Sequence, residues 1–190
     1  MSSTAEELPR VRWQDAGHAV AWADELCSRP QVVSPTAQVI NRMRGTVLAS
    51  AGGYSAQDYR DLAETVLTCL SGVYSIHADA LRVIYGLPGE SQKQRLSEEI
   101  AMVVDREPGE HTYSQASRLG RAAVLRERSR QWNQRPMGRS VYAWALQVPR
   151  DAIRRNGWPP LIRVAEQTIN QWAEAGGHEL MASLQERDLM

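Results

Sequence analysis

The chain has 190 residues, 43% of them hydrophobic and 23% charged, with 22 basic against 22 acidic side chains. That length can bury the core of one or two small domains, and that balance excludes a disordered chain. No apolar run reaches membrane-spanning length, and the start MSSTAEELPRVRW is too polar for a signal peptide, so a cytoplasmic protein with no membrane partner is expected.

Apolar residues recur at helical spacing through nearly every segment, and no persistent alternation of the strand type occurs, so the expected fold class is all-α and multi-helix. A first helix is expected from Asp15 to Ser28, with Ala16, Ala19, Val20, Ala23 and Leu26 on one stripe and Trp13 packing before it. Ser34 and Pro35 should open a second helix through Leu48, from which Arg42 and Arg44 project. After Gly52-Gly53, a capping box of Ser55 and Asp58 starts a third, whose broad face of Tyr59, Leu62, Val66, Leu70 and Val73 suits the central core helix. A fourth runs from about Ile76 to Tyr85. The turn Gly86-Leu87-Pro88-Gly89 that follows lacks the GxxxxGK pattern of a phosphate cradle. Ser91 should cap a fifth helix through Val104, and DREPGEH at 105–111 is the best linker candidate.

Charge divides the chain at that linker. Residues 1–111 carry 10 basic against 15 acidic side chains, and residues 112–190 carry 12 against 7. Within 112–163 there are 11 arginines, no lysine and two acids. Such a surplus points to a polyanion partner, and arginine forks fit phosphate and guanine better than lysine does. A salt-bridged, solvated face would need more acids than this stretch supplies. The expected organisation is an acidic N-terminal helical part, 1–111, followed by an arginine-rich C-terminal helix-turn-helix domain, 112–190.

Thr112 or Ser114 should open a helix through Trp132 with Arg118, Arg121, Arg126, Arg128 and Arg130 on one face. RSVYAWALQVPRDAIRRNGW, residues 139–158, then reads as a helix-turn-helix. Ala143 stands where the helices cross, Leu146 and Val148 bracket the turn, and Ile153 lies one turn into the second helix. Pro149 suits the first turn of that helix, which would present Arg150, Asp151, Arg154, Arg155 and Asn156 to a major groove. Gln147 stands where the tight turn usually has glycine, and a left-handed backbone there costs up to ~1–2 kcal/mol. The alternative is an ordinary helical hairpin with a solvated basic face.

A rival register uses Val164 and Ile169, with Thr168, Asn170, Gln171 and Trp172 as the reading helix. It would place Pro159 and Pro160 inside a helix, at about 3 kcal/mol, so a supporting helix beginning after Pro160 is preferred. Gly176-Gly177 should stop that helix, and a last one carries Leu180, Met181, Leu184 and Leu189. This terminal pair would prop the DNA reader or form a dimer seam.

Cys27 and Cys69 lie on apolar helix faces, and the four histidines share no metal-ligand spacing. No nucleophile, acid–base or phosphate-cradle constellation appears, so neither an enzyme nor a cofactor or metal site is expected.

An all-α chain of this length with VYAWALQVPRDAIRR and the end VAEQTINQWAEAGGHELMASLQERDLM resembles the phage-derived Q-like transcription antitermination factors, most closely their AlpA-type branch, over residues 112–190. The resemblance implies binding to a promoter-proximal element of double-stranded DNA, then loading onto RNA polymerase with its sigma factor. It further implies travel with the enzyme, narrowing of the RNA exit channel around the nascent RNA, and read-through of terminators. Some Q-like factors carry a zinc-binding cysteine cluster, which this chain lacks. Carried over to this sequence, Arg139 and Ser140 lie near phosphate, while Arg150, Asp151, Arg154, Arg155 and Asn156 face the groove. Arg118 and Arg121 on the preceding helix complete the DNA-facing set. Polymerase contacts fall by default to residues 1–111. The competing expectations are a dimeric helix-turn-helix repressor or activator that never travels with polymerase, and a phage packaging or scaffold protein.

Overall fold

The computed structural model describes residues 11, 13–28, 56–132 and 137–189, with the backbone alone for Gln131 and Trp132. Among the described residues there are eight helices and no strand: α1 (Ala16–Ser28), α2 (Ala56–Gly72), α3 (Ser75–Tyr85), α4 (Glu90–Asp105), α5 (Tyr113–Trp132), α6 (Ser140–Leu146), α7 (Ala152–Arg155) and α8 (Trp158–Glu186). The chain is all-α, as its periodicity implies. The helix expected from Ser34, its Arg42 and Arg44, and the cap Ser55 lie outside the described residues. No described helix is long and apolar enough to cross a membrane.

Helix α8 organises the packing. Its 29 residues span about 43 Å at 1.5 Å per residue, long enough to serve two apolar cores. Leu161, Ile162, Ala165, Ile169 and Ala173 join a core with α3, α4, α5 and α6, while Leu180 and Leu184 join one with Trp13, α1 and α2. Helix α3 feeds both, giving Ala80 and Val83 to the first and Leu81 to the second. The expected central role of α2 therefore belongs to α3 and α8. Leu180 and Leu184, two of the apolar residues expected to serve a prop or a dimer seam, are fully buried within this one chain.

Gly176-Gly177 does not stop the last helix, which runs through both. A Cβ at Gly176 would lie 2.7 Å from the carbonyl oxygen of His77, so glycine is there to let α3 approach α8, and packing outweighs its poor helix propensity. The same device joins α4 to α5, where a Cβ on Gly120 would run into the Ser97 carbonyl oxygen. The α3–α8 contact is fastened by Glu179, which accepts from the Tyr74 backbone N–H at 2.9 Å and lies 2.6 Å from His77 Nδ1.

Caps also shift. Gly89, not Ser91, precedes the first turn of α4, and Gln92 Oε1 reaches back to accept the Gly89 N–H at 2.9 Å. Helix α5 opens at Thr112: its N–H donates to Gln115 Oε1 at 2.8 Å and its Oγ1 accepts the Gln115 N–H at 3.3 Å, a reciprocal box. Residues 105–111 form the bend between α4 and α5, yet these two helices pack closely, so the change in charge sign is not a break in the core. Cys69 is buried, and burial pushes the half-buried Cys27 thiol up, as expected of core cysteines.

Candidate nucleic-acid interface

The site is built by α6, the turn after it and α7. Tyr142, Ala143 and Leu146 bury one face of α6, and Tyr142 donates its phenolic hydrogen to Glu166 on α8 at 2.9 Å. The helix ends in a Schellman turn: the Val148 N–H donates to the Ala143 carbonyl at 3.0 Å and the Gln147 N–H to Trp144 at 3.1 Å. That closure puts Gln147 in the left-handed region, φ 58° and ψ 40°, with a non-glycine residue accepting the strain.

The second helix is shorter than its sequence implies. Pro149 to Asp151 form a turn, α7 is the single turn Ala152–Arg155, and Gly157 at φ +71° redirects the chain into α8. Trp158, Pro159 and Pro160 occupy the first turn of α8, where missing N–H donors cost little, so the prolines begin the supporting helix rather than precede it. Val164 to Trp172 lie in uninterrupted helix, which removes the rival register.

Arg139, Ser140, Arg150 and Arg154 converge on a cleft of about 420 Å³ whose apolar wall is Ala143, Ile153, Pro159 and Ile162. Among the described residues, no acidic side chain lines it. Three guanidinium forks around an acid-free opening favour an anionic occupant. Asp151 and Arg155 stand beside the cleft, exposed and paired with each other. Asn156 is exposed at the end of α7. Arg118 and Arg121 do not join the cleft. They lie on the α5 face that carries Leu125, at seven and four residues' distance, with Arg118 half-buried and Arg121 exposed.

The remaining arginines of α5 correct the expectation of one exposed basic face. Arg126 turns inward and bonds Glu166 at 2.5 Å and Glu127 at 3.2 Å. Arg130 takes the other oxygen of the buried Glu127 at 3.0 Å. Arg128 donates to the Val83 carbonyl at 3.1 Å, near the end of α3. Ion pairing thus accounts for part of the arginine surplus, because one buried acid serves two arginines and Glu166 comes from outside the basic stretch.

A second cavity, of about 730 Å³, lies across Ser140 and Ala143 from the first. Its apolar rim holds Trp144 at 76% exposure, Met137 at 47% and Leu125 at 43%. The sequence did not single these out, although one signal was present: from Val141 to Leu146 every residue is hydrophobic, and a seven-residue helix packed on one side cannot bury all of them. Compared with family models, with characterised proteins and with solved structures, the chain matches none.

Proposed function

We propose that the cleft between α6 and α7 binds the phosphate backbone of duplex DNA, and that the protein acts as a transcription antitermination factor. In this reading it binds a promoter-proximal element, loads onto RNA polymerase and allows read-through of terminators. The observation that carries the DNA step is the convergence of Arg139, Arg150 and Arg154 on one opening that no acid among the described residues lines. Arg155 and Asn156 are exposed at the end of α7 and just after it, where they can reach base edges once phosphates fix the register. The polymerase step rests on the resemblance of residues 112–190 to Q-like factors.

The test is single-round transcription past an intrinsic terminator, using purified polymerase and a template with the protein's own upstream DNA. Read-through should rise with the native chain and fall to background with the Arg139→Ala/Arg154→Ala double variant. In direct binding, loss of two phosphate contacts should lower the salt-dependence slope by about two. Equal read-through by the folded double variant would sink the proposal, and altered initiation without read-through would leave an ordinary DNA-binding regulator.

A further inference from the structure

We propose that the second cavity is a protein-docking groove, and that it takes an amphipathic helix of a partner whose apolar ridge is flanked by acidic residues. Trp144, Met137 and Leu125 are three of the largest exposed apolar side chains of the described residues, and all three rim this one groove of about 730 Å³. Val148 and Pro149 extend its apolar surface. Clustered exposure of this kind marks an interaction site, whereas single exposed hydrophobics do not. Tryptophan, methionine and arginine are also the side chains enriched at protein interfaces.

Charge fixes the partner's sign. Arg150 lines the groove, and Arg121 lies one helical turn from Leu125 on the same face of α5, with Arg118 beyond it. Among the described residues, no acid lines the groove. A ridge of residues at i, i+3, i+4 and i+7 would lay apolar side chains on the groove's apolar lining, and acidic flanks would meet the arginines at its borders. A single nucleic acid strand fits less well: stacking needs successive aromatic platforms and a cationic track beneath the backbone, and here one tryptophan stands among aliphatic groups. The groove adjoins the anionic cleft, and Gly138, Ser140, Ala143 and Arg150 line both, while Trp144, Met137 and Leu125 belong to the groove alone.

The experiment titrates the full chain with three probes, following the Trp144 indole N–H by nitrogen-15 NMR. The probes are a synthetic amphipathic helix with glutamate flanks, its lysine-flanked counterpart, and a short single-stranded DNA. The glutamate-flanked helix should shift the Trp144 signal and, by calorimetric titration, bind at least about tenfold more weakly to Trp144→Ala. Arg121→Glu, an exposed change, should weaken it several-fold. Duplex DNA binding should be unchanged in Trp144→Ala, so failure of docking and failure of DNA binding are read separately. Equal binding of the two peptides, no shift with either, or a Trp144 shift produced by the single-stranded DNA in place of the peptide each overturns the proposal.

Discussion

The Tyr142 hydroxyl donates to Glu166 Oε1 at 2.9 Å, and the same oxygen accepts from Arg126 Nη1 at 2.5 Å, so α6 is tied to α8 and α5 through one carboxylate. Tyr142 is fully buried. Burial first, and then the neighbouring Glu166 charge and hydrogen bond, push its phenol well above the ordinary range. A folded-state value raised above the unfolded one gives stability that is present below the ordinary value of about 10 and lost as pH climbs past it. Tyr142→Phe should therefore cost about 1.5–3 kcal/mol at neutral pH, as expected for a bond to a charged acceptor. It should also flatten the loss of stability above about pH 10. Denaturant unfolding across pH would check both.

Gly176 and Gly177 are adjacent in α8 but should answer alanine in opposite ways. Gly176→Ala would press a Cβ into the His77 carbonyl at 2.7 Å and should destabilise by about 1–3 kcal/mol. Gly177→Ala would meet only the Ala16 methyl at 3.4 Å, an ordinary contact, and should stabilise by about 0.5–1 kcal/mol through helix propensity. Thermal unfolding of the two variants is sufficient to compare them.

Gln147 holds a left-handed backbone at the end of α6. Gln147→Gly removes that strain while giving the unfolded chain more freedom, for a net gain of about 0.5–1 kcal/mol. A loss of stability would mean that the exposed Gln147 side chain makes a contribution that outweighs its backbone cost.

Asp151 pairs with Arg155 beside the arginine cleft. Asp151→Ala should strengthen duplex DNA binding, since it removes a negative charge and releases a cation. The salt-dependence slope should rise by about one if Arg155 then reaches a phosphate. Arg155→Ala, by contrast, should weaken binding less than Arg154→Ala does. Affinities measured at several salt concentrations distinguish the three variants.

Glu179 joins α8 to the start of α3, and the Tyr74 N–H, followed by the His77 hydrogen bond, holds its carboxyl below the ordinary value. A depressed folded-state value gives stability that is present above about pH 4.3 and lost as pH falls through the folded value. Glu179→Gln should reduce the steepness of acid unfolding, and a small effect is expected because the carboxylate is 39% exposed.

The sequence by itself determined the all-α class, because apolar spacing of three to four residues is a local property written along each helix. It also indicated the start of α5 at Thr112 or Ser114, the left-handed turn expected around Gln147, and the arginines of α6 and α7, whose neighbours in space are also near in sequence. The tertiary structure decided what depends on distant partners. Gly176 reads as a helix stop until His77 is seen packed against it. Arg126 and Arg128 read as surface charge until Glu166 and the end of α3 are brought beside them. Every residue from Val141 to Leu146 is hydrophobic, and only the packing shows that the α6 face with Tyr142 is buried while Trp144 is exposed. Helical periodicity fixes that a face will be covered; which face, and whether a charge ends in water or against a carboxylate, is set by elements far away in the chain.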